Sequence, residues 1–145
     1  MYLLDTNVVS ELRKCSAGKG HPSVSHWATT VAPNELYLSV ISVLEIEMGI
    51  LLKDRKDPVQ GRSLRAWMNE RMLPAFEGRI LPLDTTIALT CARLHIPNPK
   101  SERDAMIAAT AITHQLTVVT RNIKDFEQTG VKLLNPWEFW AGNRE

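Results

Sequence analysis

Met1-Tyr2-Leu3-Leu4-Asp5-Thr6-Asn7 opens the chain, and the fold turns on how those residues are read. Tyr2 to Leu4 is an apolar run too short for a helix, which predicts a strand pressed into a core. A carboxylate, a hydroxyl and an amide cut it off in succession, and Val8 and Val9 start the next segment. In open α/β sheets, ligands gather at the carboxyl ends of strands, where the chain turns toward a helix. Asp5 is predicted to stand at such an edge.

The bulk numbers set the frame. At 145 residues, 44% hydrophobic and 23% charged, the chain is expected to form one ordinary globular domain with a proper core. A net charge of +1 does not by itself advertise a nucleic-acid binder, although it can hide acids in a pocket and bases on its rim. No apolar run approaches the roughly 18 residues of a membrane span, and the start lacks the basic and long apolar regions of a signal peptide, so a cytoplasmic protein without membrane contact is expected. Cys15 and Cys91 form no CxxC pair, and the histidines show no HExxH spacing. Inert thiols and no zinc site are expected.

Along the chain, strand-like and helix-like segments alternate. Val8 to Lys14 is predicted as a first helix capped by Thr6 or Asn7, Cys15 to Pro22 as a loop, and Pro22 or Ser23 as the start of a second helix. Glu35 to Val40 alternates like a strand. Ser42 to Leu52, apolar on nearly every side, predicts a buried helix, in which Gly49 suggests close approach of another backbone. Lys53 to Pro58 is predicted as a charged turn, and Gln60 to Leu73 as an amphipathic helix ended by Pro74. Arg79 to Leu83 predicts a short edge strand, and Asp84 caps a helix running through His95. Ser101 to Gln115 predicts a buried helix of small residues, and Leu116 to Thr120 a central strand. A helical turn over 122–129, a strand over 131–134 and a closing helix over 136–140 complete the set. Such alternation predicts an α/β fold, with a central, mainly parallel sheet of about five strands and helices on both faces.

Asp5, Glu45 and Asp104 each stand at the start of a helix. Each has a structural explanation: Asp5 as a cap, Ser42-Val43-Leu44-Glu45 as a capping box, and Ser101-Glu102-Arg103-Asp104 as its aspartate version. Two features favour a joint role instead. Buried helices rarely keep lone carboxylates among apolar residues, because isolated buried charge is expensive. The first strand and the 117–120 strand also deliver Asp5-Thr6-Asn7 and Thr120-Arg121-Asn122 to the same sheet edge. Acids gathered there would repel one another without a cation, and all-oxygen ligands suit Mg²⁺ or Mn²⁺ rather than zinc.

These blocks, Leu4-Asp5-Thr6-Asn7, Ser42 to Gly49, Asp104 to Ala111 and Val119 to Phe126, with Leu134-Asn135-Pro136-Trp137 at the close, stand in an order and spacing that resemble the PIN-domain ribonucleases. Within that family the chain is most similar to the VapC-type toxins of type II toxin–antitoxin systems, in their FitB-like branch. The resemblance covers essentially the whole chain and implies a PIN-like fold. It carries the family's metal-binding acids onto Asp5, Glu45 and Asp104, with Glu45 rather than Glu47 because the family's acid precedes the glycine by four residues. The family's fourth acidic position falls on Asn122 here, a departure, with Asp125 as the candidate substitute. Thr6, Asn7, Ser42 and Thr120 would orient the acids or bind metal waters.

The implied reaction is Mg²⁺-assisted hydrolysis of RNA phosphodiester bonds, with transfer RNA as the family's usual direction. Arg13, Lys14, Arg103, Arg121 and Lys124 are the candidate cations for substrate phosphates. The resemblance further implies a homodimer held inactive by a small antitoxin that blocks the active-site groove, with DNA touched only through that partner. Interfaces are expected on the 60–73 helix and around Leu44, Met48 and Leu52. A different enzyme class, the haloacid-dehalogenase-like phosphatases, needs a second aspartate where this chain has Asn7. The alternative function is a catalytically silent PIN-like interaction subunit, which the joint presence of Asp5, Glu45 and Asp104 disfavours.

Overall fold

The short apolar runs between helices do become strands, as a computed structural model of the chain, describing residues 1–139, makes plain. They are β1 (Tyr2–Leu4), β2 (Leu36–Ser39), β3 (Ile80–Leu81), β4 (Thr117–Val119) and β5 (Leu133–Leu134). Together they form one sheet in the order β3-β2-β1-β4-β5, with every neighbouring pair parallel. The sheet is therefore wholly parallel, and the proline-flanked β3 lies at an edge as expected. The opening strand β1 takes the centre.

The helices are α1 (Thr6–Ser16), α2 (Pro22–Thr29), α3 (Val40–Lys56), α4 (Pro58–Trp67), α5 (Leu73–Ala75), α6 (Thr85–Leu94) and α7 (Glu102–His114). Side chains alternate across a strand, so two cores form. Leu4, Leu38 and Val119 turn to one face and meet Val8, Trp27, Ile46 and Met68. Leu3 and Val118 turn to the other and meet Ile107, Ala108 and Ala111 of α7, together with Phe126. The alanines of α7 let its backbone lie close to the sheet, and Ala105, Ala108, Ala109 and Ala111 have no exposed surface.

Several boundaries differ from the sequence expectation, each for a physical reason. Helix α1 starts at Thr6, earlier than Val8, because Asp5 itself is the cap, accepting from the Thr6 amide. It also runs on through Cys15 and Ser16. Val40 belongs to α3 rather than to β2, since Ser39 is the cap and its Oγ accepts from the Ile41 N–H at 3.0 Å. The capping box at Ser42 and Glu45 therefore does not form. Lys53 to Lys56 are the last turn of α3, not a loop; basic residues there complement the carboxyl end of the helix dipole. Asp57 alone makes the corner, accepting from the Gln60 N–H to start α4.

Helix α3 is not buried on every side: Leu44, Met48, Leu51 and Leu52 are exposed by 38–61%. Gly49 faces open space, and the close approach is at Gly61, where an added Cβ would lie 2.6 Å from Asp54 Cα. Pro74 does not end the helical run. A five-residue π turn over 68–72 links α4 to α5, and the run continues to Ala75. The wider turn changes the hydrogen-bond pattern just where proline lacks a donor. Residues 122–129 form two short 3₁₀ turns, and another spans Pro136–Glu138. Trp140, placed in the closing helix by sequence, lies outside the described residues.

Phe126 follows directly on the turn that carries Asp125, has no exposed surface, and anchors that turn to the α7 core. Phe126→Ala should therefore cost about 3–5 kcal/mol in chemical denaturation. A loss below about 1 kcal/mol would mean that this anchor is not part of the core.

Candidate active site

Asp5, Glu45, Asp104 and Asp125 are gathered where β1, α3, α7 and the turn after β4 meet. Asp5 is buried, with 6% of its surface exposed. The β1–β4 register pairs Leu4 with Val119, so Asp5 and Thr120 emerge side by side. Thr120 Oγ1 donates to Asp5 Oδ2 at 2.8 Å, the Thr6 N–H donates to Oδ1 at 2.8 Å, and Asn7 Nδ2 approaches Oδ2 at 3.4 Å. Asn7 Oδ1 also accepts from the Arg121 N–H, which ties the loop after β1 to the loop after β4. Asp5 is thus a helix cap and a site residue at once. Ser42 is buried behind it, with Oγ 3.5 Å from the Leu4 carbonyl oxygen.

Glu45 joins from α3. Thr6 Oγ1 donates to Glu45 Oε1 at 2.5 Å, and the Arg103 guanidinium lies 3.5 Å from Oε2. Glu47, two residues on, is committed elsewhere: both its oxygens receive hydrogen bonds from Arg65 of α4, at 2.5 and 2.7 Å. The choice of Glu45 over Glu47 accords with that division.

Electrostatics brings in the other two acids. Asp104 is pushed up to about 6, first by burial, then by the charges of Asp5, Asp125 and Glu45, against a hydrogen bond from Ser101. Burial also raises Asp5; hydrogen bonds from Thr120 and the Thr6 amide oppose it, and the charges of Glu45 and Asp125 add to it. Asp125 therefore acts on both, whereas Asn122 uses its backbone N–H to donate to Thr120 Oγ1 at 2.9 Å. Of the two candidates for the fourth position, Asp125 supplies charge and Asn122 holds the threonine.

The four carboxylates offer hard oxygen donors, and their mutual repulsion is the condition a divalent cation relieves. Among the described residues no three such side chains are already gathered tightly enough to hold an ion. Their hydrogen bonds show why: the Asp5 and Glu45 oxygens are held by Thr6, Thr120 and Arg103.

The predicted cations divide. Arg13 lies against the Trp67 ring, 5.9 Å from its centroid, and lines a groove of about 340 Å³ shared with Thr6, Ser10 and Glu45. Arg121 lies over Trp137 at 5.1 Å, and with Lys124, Asn122 and Asp125 lines a second cleft of about 560 Å³. Arg103 pairs with one of the acids, Glu45, at 3.5 Å. Lys14 points elsewhere, with Nζ 4.0 Å from Glu11 on the surface of α1. Sequence reasoning missed Lys53, which lines the first groove. Its signal was the spacing Glu45, Gly49, Lys53, one face of a helix at intervals of four, hidden by reading Lys53 as part of a turn. Cys15 and Cys91 are unpaired, and burial raises both thiols, as befits unreactive cysteines.

With this geometry in view, the kinship is direct. The PIN domain pattern matches residues 2–132, and the chain belongs to the PIN domain family. It is 35% identical to the VapC ribonuclease Y4jK of Sinorhizobium fredii, covering 95% of this chain and 99% of that one. Toxin FitB of Neisseria gonorrhoeae is likewise 35% identical over 94% of this chain and 99% of its own. Among solved structures, FitAcB from Neisseria gonorrhoeae superposes with a TM-score of 0.85 at 34% identity, over 95% of this chain and 99% of that one. A toxin–antitoxin complex from Klebsiella pneumoniae gives 0.67 at 26% identity, over 94% and 98%. The PIN-like fold and the VapC- and FitB-like character inferred from the motifs agree with these matches.

The raised Asp104 makes a sign-definite prediction for the protein kept in chelator. A carboxyl raised in the folded state stabilises most while protonated, and that contribution is lost as pH rises through about 6. Asp104→Asn should therefore gain stability over the wild type as pH rises from about 4 to about 6 and keep that gain above it, by about 1 kcal/mol after allowance for solvent screening. Thermal melts of both proteins across that range measure it. A difference that stays flat with pH across that range would refute the raised Asp104 carboxyl.

Proposed function

We infer that this chain is a metal-dependent endoribonuclease toxin of a toxin–antitoxin pair, using Mg²⁺, with Mn²⁺ as a substitute. The observation that carries the reading is the meeting of Asp5, Glu45, Asp104 and Asp125 at one sheet edge, where burial first and then their mutual charges raise Asp5 and Asp104. That crowding costs stability and has a purpose only if a cation joins it. Asp5, Glu45, Asp104 and Asp125 would hold the metal, with Asn122 as support. Bound there, the ion supplies charge neutralisation at the scissile phosphate and an activated water.

The remaining work falls to the chain's own groups. Thr120 and Thr6 fix which Asp5 oxygens face the site, and Asn7 keeps the two loops in register. Arg13 and Lys53 on one side, and Arg121 and Lys124 on the other, place positive charge along two clefts that flank the acids. Cations so placed suit the repeated phosphates of a polynucleotide. Kinship with a VapC ribonuclease favours RNA; within that class, transfer RNA is the substrate we propose to test.

An antitoxin partner follows from the same kinship. The groove lined by Thr6, Arg13, Glu45, Lys53 and Trp67 reaches the acids and is where such a partner would block them. Contact with DNA would pass through that partner. The exposed Leu44, Met48, Leu51 and Leu52 on α3 favour association, in keeping with a homodimer. Among the described residues, no helix is long and apolar enough to cross a membrane.

Asp5→Asn tests the reading with folding controlled, because asparagine is an equally good helix cap and relieves buried charge. Cleavage of transfer RNA in Mg²⁺ should fall by more than about 100-fold, while the melting temperature does not drop. Asp125→Asn should impair cleavage more than Asn122→Ala. Cleavage by Asp5→Asn at the wild-type rate, or wild-type cleavage that survives EDTA, would sink the metal assignment.

A further inference from the structure

Arg103 sits in the first turn of α7, the amino end, where the helix dipole disfavours a cation. The ion pair to Glu45 at 3.5 Å opposes that effect and is the salt bridge Arg103 makes among the described residues. The Arg103 side chain remains 44% exposed and that of Glu45 23%, so the contact is made at the mouth of the site and can open without disturbing either core. Glu45 is thereby held at both oxygens, by Thr6 on one and Arg103 on the other.

We propose that Arg103 is the resident counter-ion of the metal-free site, occupying Glu45 Oε2 until a divalent cation displaces it. The proposal rests on the metal reading above and adds a specific competitor to it. Arg103 stands next in sequence to Asp104 and contacts Glu45, so its charge offsets part of the repulsion that would otherwise fall wholly on the folded apoprotein. The same contact engages the Glu45 oxygen that Thr6 leaves free. The cation and the guanidinium compete for one oxygen. Entry of the metal releases Arg103, exposed and still beside the acids, with its charge free for an anion. Arg103 is on this view a positioning residue for Glu45, and it sets the metal concentration at which the site fills.

Mn²⁺ binding, read from the loss of the free-ion paramagnetic resonance signal, tests this without any turnover. The wild type, Arg103→Gln, Glu45→Gln and the double variant are compared. Arg103→Gln should bind Mn²⁺ roughly 2- to 5-fold more tightly than the wild type, the range an exposed ion pair can oppose. In the Glu45→Gln background the same change should gain distinctly less, because the contested oxygen is gone. A second readout is the Arg103 Nε–Hε resonance, which Mg²⁺ should move in the wild type toward its position in metal-free Glu45→Gln. Equal gains in both backgrounds would reveal only a general charge effect and overturn the proposal, as would no gain in either. Absence of Mn²⁺ binding in every protein would overturn the metal reading as well, which separates the two failures.

Discussion

A single hydroxyl holds the site to the sheet. Thr120 donates to the buried Asp5 at 2.8 Å and accepts from the Asn122 amide at 2.9 Å, so one atom joins the ends of β1 and β4 to the turn that carries Asp125. The hydroxyl can do this only because the parallel register pairs Leu4 with Val119 and leaves Asp5 and Thr120 as the next residues out. The Asp5 N–H, bonded to the Val119 carbonyl at 2.9 Å, completes the seam. A slip of one residue would turn Leu3 and Leu4 onto each other's faces and empty both cores, so the hydrophobic pattern that fixes the register fixes the site too.

The cores have to work against the acids they position. Raised carboxyls at Asp5 and Asp104 mean that ionisation there is disfavoured in the folded chain. Burial of Leu3, Leu4, Val118 and Val119 on the two faces of the central strands supplies the opposing term. Strained or repelling groups persist where the surrounding structure over-determines them. Here that structure is the pair of inner strands together with the alanine-faced α7, whose close packing leaves Asp104 little freedom to move away.

Alternation of strand and helix, and hence the fold, was legible because short apolar runs and 3.6-residue periods are local signals. The acids were legible because their blocks are contiguous. What escaped depends on tertiary contacts. Ser39 rather than Ser42 caps α3, a shift of one turn that composition cannot resolve when both residues are serine. The exposed side of α3 looks buried in sequence because Leu44, Leu51 and Leu52 are as apolar as Ile46 and Ile50; only the neighbouring helices decide which side is covered. Gly49 and Gly61 are equally plausible points of close approach, and only Gly61 is one. Asp125 and Asn122 could not be ranked for the fourth position, since that requires knowing whether the Asp125 carboxylate lies near enough for its charge to reach Asp5 and Asp104.

A net charge of +1 conceals an arrangement in which guanidinium groups are held near the acids in two distinct ways. Arg13 and Arg121 lie on the faces of Trp67 and Trp137. A ring face fixes a guanidinium through its quadrupole without cancelling the charge, so both retain donors and full charge for an incoming anion. Arg103 is held by a carboxylate, which does cancel it. The difference gives the site an order. The stacked arginines can draw a polyanion toward the clefts whether or not the acids hold a cation, while Arg103 becomes available only once Glu45 has another positive partner. On the proposed reading, substrate attraction would rest first on Arg13 and Arg121, and metal occupancy would be felt through Arg103 at Glu45.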